Sequence, residues 1–136
     1  MPDGDSTFPW PSYYRNFNFF EARMRTHSRI TSMKSLGNGV YELGVKGGGT
    51  LKVFVCECYS FGTAEYVETT ENLGKLDAII VNSAWCSYTP DAKRICRSDK
   101  VGLFKIRDFM AALNKYPLWD YLNETEAENF KKKGWQ

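Results

Sequence analysis

The chain has 136 residues, a net charge of +2 from 18 Lys+Arg and 16 Asp+Glu, and 43% hydrophobic residues. This length makes one domain that needs no metal or disulfide staple to fold, and the composition excludes wholesale disorder. Apolar runs fall far short of the ~18–20 residues that span a bilayer. No basic-then-apolar stretch marks a secretory signal, so a cytoplasmic protein with no membrane partner is expected.

Residues 1–12 contain three Pro and a Gly and read as a flexible arm, mobile unless Trp10 docks. From Tyr13 to about Thr26, Tyr13, Phe17, Phe20 and Met24 recur at helical spacing, with Ser12 as the expected N-cap. Ile30–Leu36 reads as a strand. Gly37-Asn38-Gly39 is turn chemistry, because Asn and Gly tolerate positive φ. Val40–Val45 and Thr50–Cys58 read as further strands, separated by Lys46-Gly47-Gly48-Gly49, and short turns on both sides predict an antiparallel meander. The third strand is apolar on both faces near its middle, which places it centrally.

Thr63–Leu73 reads as a helix with Thr63 as N-cap, Gly74 as its stop, and Tyr66, Val67, Thr70 and Leu73 on one side. Leu76–Val81 is a short buried strand. Strand, helix and strand at this spacing predict a βαβ unit, with this strand parallel to the third. Thr89-Pro90-Asp91 opens a helix to about Arg97, through N-cap, first-turn Pro and first-turn acid. Val101–Phe104 is one more strand. Ile106–Leu113, a turn at Pro117–Leu122 and Thr125–Lys132 are helical. The whole is an α/β sandwich with helices on both sheet faces: a single domain over 13–136, its last part (114–136) a helical extension.

The segment Leu76–Leu113 resembles the C-terminal half of Mrr-like domains in the PD-(D/E)xK restriction-endonuclease superfamily. An apolar strand (Ala78–Val81) is followed by Tyr88-Thr89-Pro90-Asp91-Ala92 opening a helix. A short strand (Val101–Phe104) and Asp108-Phe109 before Leu113 complete the likeness. The upstream order, one helix and three meander strands, fits as well, so the resemblance spans about residues 13–113. It implies a three-layer restriction-endonuclease-like sandwich around a central mixed sheet, and DNA or RNA as partner. It also implies a metal site on the second and third strands, because Mg²⁺ takes carboxylate oxygens and activates water beside a phosphate.

The family's Glu/Gln-x-Lys is degenerate here. With Glu57 as the acid, the Lys place holds Tyr59; Glu42 is the acidic candidate on the second strand, and Glu21 of the first helix an auxiliary one. The leading expectation is a nucleic-acid-associated or defence-related accessory protein that is non-catalytic and has no cofactor. One alternative is an active Mg²⁺-dependent nuclease with Glu42 and Glu57 as metal ligands and Glu57, Glu42 and Tyr59 in the catalytic site. Another is a small-ligand or protein-partner module, with Asn82, Ser83, Trp85 and Tyr88 binding the ligand at the carboxyl edge of the sheet. A homo-oligomer is compatible with all three.

Cys56, Cys58, Cys86 and Cys96 are expected as buried free thiols; zinc is the lesser reading, because Cys-x-Cys on a strand is a poor knuckle. A Cys–His27 nucleophile pair is a minor alternative, and His27 as a helix-end residue the simpler one. Residues 91–136 hold ten basic and seven acidic side chains, which allows a basic face. Within it, Lys131-Lys132-Lys133 reads first as a solvated helix end and second as a phosphate contact.

Overall fold

A computed structural model describes residues 7–12 and 14–135. Asn38 and Gly39 both take positive φ, 53° and 84°, as a tight hairpin requires. They fold β1 (Ile30–Gly37) back onto β2 (Val40–Val45). The glycines at 47–49, all at positive φ, turn β2 onto β3 (Thr50–Cys56), with Val45 N donating to Gly49 O at 3.2 Å. The meander is therefore antiparallel, as the turn chemistry predicts.

Beyond β3 the pairing changes sense. A two-residue β4 (Ser60–Phe61) and α2 (Thr63–Leu73) carry the chain to β5 (Ala78–Val81), which lies parallel to β3 with Val53 opposite Ala78 and Cys56 opposite Val81. After β6 (Ser87–Tyr88), α3 (Pro90–Ser98) crosses to β7 (Gly102–Phe104), parallel to β5. Among the described residues the main sheet has five strands in the order β1-β2-β3-β5-β7, and β4 pairs with β6 alongside it. Helix α1 (Tyr14–Thr26) precedes the meander. Helix α4 (Ile106–Ala112), a 3₁₀ turn (Leu118–Asp120) and α5 (Glu124–Lys133) follow β7.

Alternation along the strands sorts the core into two layers. Val40, Phe54, Cys56, Ile79 and Val81 pack with Tyr66 of α2 and Ala92 and Cys96 of α3. Tyr41, Leu43, Val53, Val55, Ala78 and Ile80 face Phe20 and Met24 of α1 and Phe109 of α4. From Val53 to Cys56, and throughout β5, the side chains are buried on both faces, at roughly 1.5–3 kcal/mol for each large aliphatic or aromatic group. At the other extreme β1 is mostly exposed. It pairs only with β2 among the described residues, and its register slips between Ile30 and Ser32 and again between Ser35 and Gly37. No helix among the described residues is long and apolar enough to cross a membrane.

Local expectations are corrected at several places. Trp10 does dock: it is buried with Phe8 and Phe61 edge-on to its ring, and its carbonyl accepts from Glu57 N at 2.7 Å. Residues 7–12 are thus a docked segment; residues 1–6, and Tyr13 of the expected first helix, lie outside the described residues. Ser12 does not cap α1: its buried Oγ has no hydrogen-bond partner among the described residues. The cap of α2 is Gly62, whose N–H donates to Glu65 Oε1 at 2.9 Å, and Thr63 is the first helical residue. That helix buries Tyr66 and Thr69, while Val67 stays half exposed.

Gly39 sits where two backbones touch. Its carbonyl accepts from Val55 N at 2.8 Å, and a Cβ there would stand 2.4 Å from Val55 O. Gly48 has a similar φ but open space around it. We expect Gly48→Ala to cost about 1–2 kcal/mol through the left-handed backbone alone. Gly39→Ala carries that cost plus the clash, so its urea midpoint should fall clearly below that of Gly48→Ala. Equal midpoints would refute the close approach.

Candidate functional site

Because β3, β5 and β7 run parallel, their carboxyl ends share one edge, and the first polar residue after each strand lands there. These are Glu57, Asn82 and Lys105. Glu57 is buried, and its Oε2 accepts from Asn16 Nδ2 of α1. Asn82 is buried too: its Nδ2 donates to Asn16 O at 3.2 Å, and its Oδ1 accepts from Ser83 N at 3.1 Å. Ser83 adopts φ 83°, an unusual conformation for a residue with a Cβ. Its carbonyl and that of Cys86 both accept from Lys105 Nζ. Burial pulls the Lys105 ammonium below its ordinary pKa, and nearby Cys86 works against that pull. Around this edge Tyr59 and Trp85 stand out into solvent, 76% and 55% exposed.

The two carboxylates expected to share a metal do not converge. Glu42 lies opposite Lys52 on β2, exposed, on the Val40 and Phe54 face. Glu57 lies on the face of Val53 and Val55, held by α1. It is also five residues further along the chain than Lys52, roughly 17 Å at strand rise. Metal ligation needs oxygens within about 2.1 Å of one point, so this pair cannot hold Mg²⁺ together. Glu21, the auxiliary candidate, accepts from the Tyr41 hydroxyl at 2.7 Å and pairs with Arg25 at 3.4 Å. Among the described residues, no group of three His, Cys, Asp or Glu side chains is placed to hold a metal ion.

The expected ligand set is likewise divided. Asn82, Ser83 and Trp85 lie at the carboxyl edge. Tyr88 does not present its hydroxyl there: the group donates to Glu126 Oε2 of α5. Burial and that carboxylate hold the Tyr88 phenol well above its usual pKa. Tyr59 belongs to the rim, and its carbonyl accepts from Ser87 N at 3.1 Å.

All four cysteines are free, buried and gathered in the layer under α2 and α3. Burial pushes Cys58 and Cys96 up to about 12 and Cys56 well above its usual value; Cys86 rises too, from burial first and from Glu57 second. Such thiols stay protonated at neutral pH and are poor nucleophiles. His27 lies at the end of α1, on the opposite face. Its Nε2 meets Met110 O at 2.9 Å and its Nδ1 accepts from Arg29 N at 3.1 Å, so both ring nitrogens are engaged. No Cys–His pair forms.

Sequence reasoning missed Lys105, Asn16 and Lys93. A signal for Lys105 was present: it follows Gly102–Phe104 as Asn82 follows Ala78–Val81, one polar residue after each apolar parallel strand. Lys93 had no such signal. Its position on α3 reads as surface, yet it is 1% exposed, its Nζ donates to Leu103 O at 2.5 Å and stands 4.2 Å from the Phe104 ring centroid, and Glu126 Oε1 lies 3.7 Å away. Burial lowers its pKa to about 8 despite the help of Glu126 and Asp108.

Comparison with known proteins found no matching family model, curated protein or solved structure.

Proposed function

We propose that this chain is a non-catalytic, nucleic-acid-associated accessory domain on a restriction-endonuclease-like three-layer sandwich. The order helix, three antiparallel strands, helix, parallel strand supports the fold assignment. The observation that carries the functional reading is the separation of Glu42 and Glu57 onto opposite sheet faces, with Glu57 engaged by Asn16. In the superfamily the chain resembles, those strands carry the metal; here Glu42 and Glu57 are not placed to share one.

The test is a cleavage assay on single- and double-stranded DNA and RNA with Mg²⁺ or Mn²⁺, comparing the native chain with Glu57→Gln. Neither protein should cut above background, and the native chain should retain nucleic acid in a filter assay. Metal-dependent cleavage that disappears in Glu57→Gln would overturn the reading and restore the nuclease.

The exposed Tyr59 and Trp85 favour a second role for the carboxyl edge. Beneath them the edge holds the buried Glu57 carboxylate and the Lys105 ammonium, one charge of each sign. Such an edge suits a small aromatic ligand.

A further inference from the structure

The opposite end of the parallel strands carries a cluster of basic side chains. Arg29 before β1, Lys46 in the β2–β3 turn, Lys100 before β7 and Lys115 after α4 surround a hollow of about 390 Å³. Lys100 and Trp119 also belong to a second hollow of about 580 Å³, which Arg94 and Trp135 border. The two depressions form one groove with Lys100 and Trp119 at its waist.

Six basic side chains line this groove among the described residues, against two carboxylates, and both carboxylates are engaged. Asp120 Oδ1 pairs with Arg97 at 2.6 Å, and Asp77 Oδ2 accepts from Lys52 N at 2.8 Å. Arg29, Lys46, Lys100, Lys115 and Arg94 form no ion pair among the described residues. Aromatic rings are interleaved with this charge. Tyr116 is 99% exposed, and Arg94 and Lys133 flank the Trp135 ring at 4.9 and 5.1 Å. Cations without an ion-pair partner beside one fully exposed ring, Tyr116, are the chemistry that holds a sugar-phosphate backbone while stacking a base. A duplex offers the phosphates but not the base faces.

We infer that this groove binds single-stranded nucleic acid, with Arg29, Lys46, Lys100 and Lys115 on phosphates and Tyr116 stacking a base. The inference rests on the nucleic-acid reading above and locates its contact surface away from the carboxyl edge. Four phosphate contacts give a slope of log affinity against log salt near about −3 for a single strand.

The experiment measures fluorescence anisotropy of labelled DNA and RNA strands of about 12 nucleotides, and of a duplex of equal length, from low to physiological salt. The proteins are the native chain, Lys46→Glu/Lys115→Glu, Tyr116→Ala, and Lys34→Glu/Arg107→Glu as a charge-matched control outside the groove. Circular dichroism and thermal melts confirm that each is folded. We expect single strands to bind more tightly than the duplex, with the salt slope above. The groove double variant should lose at least about tenfold. Tyr116→Ala should lose about 5- to 100-fold, and the control should change little; the DNA and RNA arms show whether the 2′-hydroxyl matters. Equal loss in the control, equal binding of the duplex, or unchanged binding by both groove variants would overturn the inference while leaving nucleic-acid association standing. No binding to any strand would overturn both.

Discussion

Replacing Glu126 by Ala should destabilise the protein by about 3–5 kcal/mol, the range for removing one partner of a buried ion pair. Three bonds meet at this carboxylate. Oε2 accepts from the Tyr88 hydroxyl, Oε1 accepts from Asn123 N at 3.1 Å in the cap of α5, and Lys93 Nζ lies 3.7 Å from Oε1. Without it the Lys93 ammonium keeps the Leu103 carbonyl, the Phe104 and Tyr88 rings and the weaker attraction of Asp108. Lys93→Met removes the cation itself and leaves an aliphatic stem of similar length. The double variant Lys93→Met/Glu126→Ala should therefore be more stable than Glu126→Ala alone. Urea denaturation of the three variants decides it. A loss below about 1 kcal/mol in Glu126→Ala, or no recovery in the double variant, would show that Glu126 does not hold Lys93.

Stability should fall by several kcal/mol between about pH 9 and 12 under reducing conditions. In the unfolded chain the thiols ionise near pH 8.5, whereas burial holds the Cys58 and Cys96 protons to about 12 and also raises Cys56 and Cys86. Between those values the folded state binds more protons than the unfolded one. The stabilisation is thus complete below about pH 8.5 and is lost as pH rises toward 12. Tyr41, Tyr66 and Tyr88 are raised as well and act in the same direction. Lys93 opposes them: it loses its proton near pH 8 when folded but near 10.4 when unfolded, so its contribution grows with pH in that window. Lys105, also lowered, works with it. The raised groups outnumber the lowered ones, so decline dominates, and it should be steeper between pH 8 and 10 in Lys93→Met. Urea midpoints at pH 7.5, 9 and 10.5 at constant ionic strength measure this; a flat profile would contradict the burial of the thiols.

The elements most legible in the sequence were those fixed by short-range chemistry. Asn38-Gly39 and the glycines at 47–49 dictate hairpins, and the doubly apolar β3 and β5 dictate a buried parallel pair. What escaped depends on partners remote in sequence. The pairing of Ser60–Phe61 with Ser87–Tyr88 has no local periodicity to announce it. The burial of Lys93 depends on Glu126, thirty-three residues later, folding back over α3. For the candidate site, the rim position of Asn82, Ser83 and Trp85 was readable from the βαβ rule. The destination of the Tyr88 hydroxyl was not, because α5 had no predicted docking site. The failure of Glu42 and Glu57 to meet follows from strand parity combined with the observed register, Glu42 opposite Lys52, which places Cys56 and not Glu57 on the Glu42 face.

The irregular first strand bears on how copies of this chain behave when crowded. A straight, apolar sheet margin invites a neighbour to add its own strand, and repeated addition makes fibres. Here Ser32, Lys34 and Ser35 lie along a margin broken by two slips of register, so the hydrogen-bonding groups do not present an even ladder. A second copy of the chain therefore finds no regular ladder along β1 to extend.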